Sequence, residues 1–284
     1  MTNILLDFSR RPELAFYASV VADVEAAAKP LGIATLIAGA FARDLHLLYS
    51  HGIEVQRQTE DLDLAFALHD WAAFEAMKEQ LTGSGAFQPS ANAAHRLRHR
   101  TGLPVDFVPF GNVETRERKI AWPPRGEVVM DVFGFREALV TAHEVLLPGN
   151  ARTKVVSLPA LALLKIVCWQ DRHYAFPLKD AHDLHLILQN YLRAGNEQRL
   201  WEEFRHWTEE DAFQYELAGA RMLGLDVGAL LDDSGIDRVA GVLSEQADVA
   251  NPGVLSGEMN IYEPERAGAL LDAMLSGVLE SRHK

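Results

Sequence analysis

Asp61-Leu62-Asp63-Leu64-Ala65-Phe66-Ala67-Leu68 opens by alternating acidic with apolar residues, the period of two expected of a β-strand. Residues i and i+2 of a strand share a face, so Asp61 and Asp63 project side by side. Leu62, Leu64 and Phe66 turn the opposite face toward a core. Two carboxylates held that close raise the cost of ionising each other. The arrangement makes sense if divalent cations sit between them, and oxygen donors suit Mg²⁺, which binds through one or two carboxylates plus substrate phosphates. Asp-x-Asp alone is a weak signal, since most such pairs are solvated edge residues. A second acidic strand strengthens it: Val105-Asp106-Phe107-Val108-Pro109-Phe110 is apolar apart from Asp106. An acid on a buried strand is costly unless paired or bound to metal.

Upstream, Ile33 to Ala38 is a short apolar run suited to a buried strand. Gly39 then opens a helical segment, Ala40 to Tyr49. Glycine at such a turn lets backbone approach a ligand closely, and the helix N-terminus offers free N–H groups to an anion. Arg43, one turn further in, has two readings. It reaches the same phosphates with its forked donor, or it pairs with Asp44 or Glu60 and holds the turn.

Around this nucleus the chain alternates helix and strand signals. Apolar residues recur at helical spacing from Pro12 to Lys29, and Asp70 is placed to cap a helix from Trp71 to Leu81. Further strands are predicted at Ala93 to Arg100, Val105 to Phe110 and Val128 to Phe133. After Leu147-Pro148-Gly149-Asn150 the signals turn helical: Pro159 to Trp169, Lys179 to Leu192, and most of the chain from Leu200. The expected organisation is an α/β domain over residues 1–150 and a helical domain over 151–284.

The 284 residues carry 48% hydrophobic and 24% charged side chains, the balance of a globular protein rather than a disordered one. No apolar run reaches the length of a membrane span. Met1 to Pro12 lacks the basic-then-apolar order of a secretory signal. Cys168 is the single cysteine, which excludes a disulfide framework and a multi-cysteine zinc site. The cytoplasm is the expected location. A net charge of −13 opposes a broad basic face for nucleic acid. His95-Arg96-Leu97-Arg98-His99-Arg100 and Arg116-Glu117-Arg118-Lys119 are local exceptions, either RNA-facing patches or solvated strand and loop faces.

The order strand, Gly39 turn, helix, Asp61-Leu62-Asp63, then Asp106 resembles the polymerase-β nucleotidyltransferase pattern. Gly39-Ala40 with Arg43-Asp44 is similar to the Gly-Gly-x-x-Arg-Asp of tRNA-repairing nucleotidyltransferases. A closer resemblance is to the AbiEii-type nucleotidyltransferases, the toxin half of bacterial abortive-infection and toxin–antitoxin pairs. Their Arg-x-Thr-x-Asp-Leu/Ile-Asp is met at every defined position by Arg57-Gln58-Thr59-Glu60-Asp61-Leu62-Asp63. Their helical lysine and later Lys-Asp-x-x-Asp-Leu resemble Lys165 and Lys179-Asp180-Ala181-His182-Asp183-Leu184. The resemblance spans roughly residues 33–190.

It implies a polymerase-β-like α/β core with a mixed sheet, followed by helices. It also implies nucleotidyl transfer from an NTP, with two Mg²⁺ ions held by Asp61, Asp63 and Asp106, which are then the catalytic residues. Nucleotide contacts are implied at Gly39, Ala40, Arg43, Thr59, Lys165, Lys179 and Asp180. Lys165 and Lys179 would face the triphosphate or base; from the residues alone, Lys165 reads equally well as a lysine snorkelling from a helix edge. Asp180 also reads as an acid in the first turn of its helix. Ala40 departs from the second glycine or serine usual in the family, and loses a hydroxyl that would touch phosphate. The acceptor implied is a tRNA 3′ end or a protein hydroxyl, with an antitoxin as partner. Two rivals stand beside this: an aminoglycoside-type small-molecule nucleotidyltransferase, for which an acidic cleft suits a polycation, and an inactive binding protein of the same fold.

Overall fold

The computed structural model describes residues 4–55, 59–90, 95–123, 126–175 and 178–283. Arg57 and Gln58 of the Arg-x-Thr-x-Asp-Leu-Asp motif lie outside them, as does Ala93, the expected start of a strand.

The first of two compact units comprises 1–45 and 56–157. Its strands are β1 (Leu5–Asp7), β2 (Ala34–Ala38), β3 (Leu62–Leu68), β4 (Phe87–Pro89), β5 (Arg96–His99), β6 (Pro104–Gly111), β7 (Lys119–Ala121), β8 (Val129–Asp131), β9 (His143–Leu147) and β10 (Ala151–Val155). Among the described residues, eight form one mixed sheet in the order β1-β9-β10-β2-β3-β6-β5-β4, while β7 and β8 form a separate hairpin. The helices are α1 (Ala15–Ala28), α2 (Gly39–Asp44), α3 (Trp71–Gly83) and α4 (Phe135–Val140). The fold is therefore the expected mixed α/β core.

The apolar alternation read from β3 and β6 is what buries the sheet. Leu62, Leu64, Phe66, Val105 and Phe107 are fully enclosed, and Phe66 stacks on Phe107 with centroids 4.9 Å apart. Asp70 caps α3 as expected, its Oδ1 accepting from the Ala73 N–H at 2.8 Å. Asp70→Ala is expected to cost about 1 kcal/mol; an unchanged midpoint in urea unfolding would contradict a working cap.

The unit does not stop at residue 150. Pro148–Asn150 is the turn of an antiparallel hairpin, with Leu147 opposite Ala151 in the β9–β10 register. Gly149 and Asn150 both have positive φ, 71° and 62°, the backbone that tight hairpin turns demand. The turn residues thus join two strands of one sheet rather than two domains. The second unit comprises 46–55 and 158–284. It contains α5 (Leu158–Arg172), α6 (Lys179–Asn190), α7 (Glu197–Glu202), α8 (Tyr215–Gly228), α9 (Asp233–Gln246), α10 (Val254–Met259) and α11 (Pro264–Glu280). Leu223 and Val227 of α8 and Leu270, Leu271 and Met274 of α11 are among its buried core. Among the described residues no helix is long and apolar enough to cross a membrane.

Candidate active site

Sheet register assembles the acidic site. β3 runs parallel to β6 with Asp63 beside Asp106, and antiparallel to β2 with Ala38 beside Asp63. On the far side, β5 places Arg96 opposite Asp106. Cross-strand neighbours lie about 5 Å apart on one face. One row therefore carries the turn before Gly39, then Asp63, Asp106 and Arg96. Asp61 sits just before β3, two residues from Asp63.

Gly39 has φ 64°, which L side chains rarely adopt. It also has no room for one: a Cβ built there would lie 1.8 Å from Asp63 Oδ2. The glycine turn and the central carboxylate are in direct apposition. Ala40, the next residue, is buried, so a serine there would place its hydroxyl in the same enclosed position.

Arg96 takes up the charge of the cluster. Its Nε donates to Asp106 Oδ1 at 2.6 Å, and its Nη2 to Asp106 Oδ2 at 2.5 Å and to Asp61 Oδ2 at 3.1 Å. The hydrogen bond to Asp106 holds the guanidinium above even its ordinary high pKa, against the effect of burial. Among the described residues, no three His, Cys, Asp or Glu side chains are gathered to hold a metal ion. The donor chemistry nonetheless fits a hard divalent cation. All three acids offer oxygen, two stand side by side in register, and a cationic group already bridges Asp61 and Asp106.

Four residues expected at the nucleotide, Arg43, Thr59, Lys165 and Asp180, are paired with other side chains. Arg43 is 2% exposed, and its Nε and Nη2 both donate to Asp44 Oδ1, at 2.9 and 2.6 Å. Thr59 Oγ1 donates to Asp44 Oδ2 at 2.6 Å. Arg43, Asp44 and Thr59 thus latch α2 to the segment entering β3, which is the second reading of Arg43. In the helical unit, Lys165 neither snorkels nor reaches outward: its side chain is 5% exposed. Its Nζ lies 2.9 Å from Asp180 Oδ1 and 2.6 Å from Asp183 Oδ2, and both acids are 2% exposed. Arg172 adds bonds to Asp180 at 2.9 and 3.2 Å. Burial pulls the lysine pKa down, but the charges of Asp183 and Asp180 outweigh it and hold it above its usual value. Burial likewise pushes Asp180 up, and Lys165 and Arg172 overcome this to hold it at about 2. Lys179, the first residue of α6, is half-buried.

Most of the basic stretch 95–100 has partners within the fold. Arg98 donates to the Gly102 carbonyl, and Arg100 and His99 both contact Asp23. Arg118 of the second basic stretch pairs with Glu114 and Glu137. Arg98, Arg100 and Arg116 nevertheless remain exposed. Trp169 and the nearby histidines are packing residues: Trp169 Nε1 donates to Glu258, its ring stacks on His173, and His185 Nδ1 contacts the Met259 carbonyl. The functional contact that sequence reading missed is Arg96. Its only signal there was a basic run, and the register that aims it at Asp106 is a property of the folded sheet.

A family model described as "Nucleotidyl transferase AbiEii toxin, Type IV TA system" matches residues 25–240. Among solved structures, the chain is similar to the antibiotic-resistance factor ANT(2″)-Ia in solution, with 16% identity over 68% of this chain and 98% of that one and a TM-score of 0.36. ANT(2″)-Ia in complex with adenylyl-2″-tobramycin gives 15% identity, 67% and 97% coverage and a TM-score of 0.38. The Thermotoga maritima CCA-adding enzyme with tRNA gives 12% identity, 95% and 82% coverage and a TM-score of 0.24. No curated protein matches the chain.

Proposed function

The chain belongs to the AbiEii nucleotidyltransferase toxin family, and from that premise we propose that it transfers a nucleotidyl group from an NTP to an acceptor hydroxyl at the Asp61–Asp63–Asp106 site. The single observation that carries this reading is the apposition of the Gly39 turn and Asp63, with Asp106 in register beside it. A turn without a side chain brings backbone close to where phosphates would lie, and the acids that would hold their counter-ions are immediately adjacent.

Asp61, Asp63 and Asp106 would hold Mg²⁺, which supplies charge neutralisation at the triphosphate and orients the reacting oxygens. The chain's own residues do the positioning. The β3–β6 register fixes the separation of Asp63 and Asp106, and the Arg43–Asp44–Thr59 latch fixes α2 against the entry to β3. In this reading Asp106, with an oxygen released by Arg96, would accept the proton of the acceptor hydroxyl as its oxygen attacks the α-phosphorus in line. The bond to pyrophosphate breaks as the new ester bond forms. Catalysis of this kind rests on orientation and fixed charge.

The acceptor proposed is a tRNA 3′ end or a protein hydroxyl, in a toxin held in check by an antitoxin; the family's toxin–antitoxin description supports the pairing with an antitoxin. Incubation of the full chain with each α-labelled NTP and Mg²⁺, with bulk tRNA, total protein or aminoglycosides as acceptors, tests this. Label should pass to RNA or protein and be lost in chelator. Label on an aminoglycoside instead would replace the acceptor assignment. No transfer from any NTP to any acceptor, with no NTP bound, would overturn the enzyme reading of the site.

A further inference from the structure

Asp106 has two carboxylate oxygens, and Arg96 occupies both, while its Nη2 also takes one oxygen of Asp61. These are the atoms that a divalent cation at this site would need. The two kinds of partner differ in how firmly they are held. Asp61 and Asp106 are 17% and 15% exposed, at a strand entry and within a central strand, whereas the Arg96 side chain is 36% exposed. A long, partly solvated side chain can swing to water once a divalent ion replaces its bonds, and a carboxylate on a strand cannot follow it. The movable member of the cluster is therefore the arginine.

Resting on the metal-site reading above, we infer that Arg96 is the resident counter-cation of the acid cluster and competes directly with the divalent ion for Asp106 and Asp61. In the metal-free protein it offsets the repulsion between Asp61, Asp63 and Asp106. Metal binding then requires at least one of its bonds to open, so occupancy of the site and the position of Arg96 are linked. An arginine suits this role better than a lysine: its planar fork spans both oxygens of one acid and reaches a second, and it is weakly hydrated.

Mn²⁺ alone, titrated into the full chain by calorimetry, tests the competition without any activity readout. Removing a unit positive charge a few ångströms from a divalent ion should tighten its binding roughly tenfold or more in a partly solvated site. Arg96→Gln should therefore bind Mn²⁺ more tightly than wild type, melt lower in chelator, and gain more in melting temperature on saturation. Arg96→Lys, which keeps the charge but not the fork, should fall between them, and decides the question alone if the glutamine variant fails to fold. Equal or weaker Mn²⁺ binding by the variants would overturn the competition. Asp63→Asn separates the two readings. If it leaves wild-type Mn²⁺ binding unchanged, the ion is not at this cluster, and the metal assignment falls together with the inference; if it weakens binding while the Arg96 variants do not tighten it, only the inference falls.

Discussion

Lys165→Met will destabilise the helical unit by about 3–5 kcal/mol, because it leaves two enclosed carboxylates without their shared cation. Asp180 and Asp183 are each 2% exposed, so water cannot replace the ammonium group. Arg172 still reaches Asp180, which makes Asp183 the more exposed to the loss. Urea unfolding followed by hydrogen exchange in α5 and α6 would measure the effect. Lys165→Met combined with Asp183→Asn should recover part of it, since an apolar side chain beside a neutral amide restores charge balance. The resemblance to the family implied a different role, with Lys165 at the nucleotide. That role makes the opposite forecast: stability unchanged and NTP affinity lost.

The same network sets a pH window. Asp180 has a folded-state pKa of about 2, below the roughly 3.9 of an unfolded aspartate. Its contribution is complete above the unfolded value, declines as pH falls below it, and is gone once pH passes below about 2. Lys165 is displaced the other way, above its ordinary value. Its contribution is complete below about 10.4, the unfolded value, and is lost as pH rises through the higher folded one. Between about pH 4 and 10 these groups add no pH dependence of their own. A loss of α5–α6 protection at pH 6 would show that the pair is not ionised as described.

The parts of the fold that could be read in the chain are those with period and punctuation. β2, β3 and β6 carry apolar alternation or runs with few polar residues, and Asp70 stands where a cap must stand. β1 and β4 have three residues each, too few to show a period. β10 does alternate, with Ala151, Thr153 and Val155 buried and Arg152 exposed. It was hidden because Pro148-Gly149-Asn150 has the composition of a linker as much as of a hairpin turn. The three acids were legible because Asp63 and Asp106 interrupt apolar strands and Asp61 stands at the entry to one. Arg96 and Lys165 were visible as charges but not as partners. Which acid a cation meets depends on the β5–β6 register and on the packing of α5 against α6, and neither is written in local spacing. Arg43 is the intermediate case: its neighbour Asp44 was one of two named partners, and burial of the helix decides between that pair and a phosphate.

Gly39→Ala should slow transfer by about a hundredfold or more while leaving most of the fold intact. Two costs add at this position. An alanine at φ 64° pays about 1–2 kcal/mol for the left-handed backbone. Its Cβ would also overlap Asp63 Oδ2, at 1.8 Å, and no backbone relaxation confined to the turn opens that much space. The side chain that can yield is Asp63, which is only half-buried. Its displacement breaks the alignment with Asp106, and a shift of about 1 Å in a positioned group is enough for a roughly hundredfold loss of rate. A double-mutant cycle distinguishes this contact from general damage to the turn. Asp63→Ala removes the carboxylate that the new methyl strikes, so Gly39→Ala should cost less in that background, by about 1 kcal/mol or more. Thermal and urea unfolding of the wild type, both single variants and the double variant give the coupling directly. Strict additivity of the two substitutions would mean that Gly39 and Asp63 do not touch, and the site as described would lose its central contact.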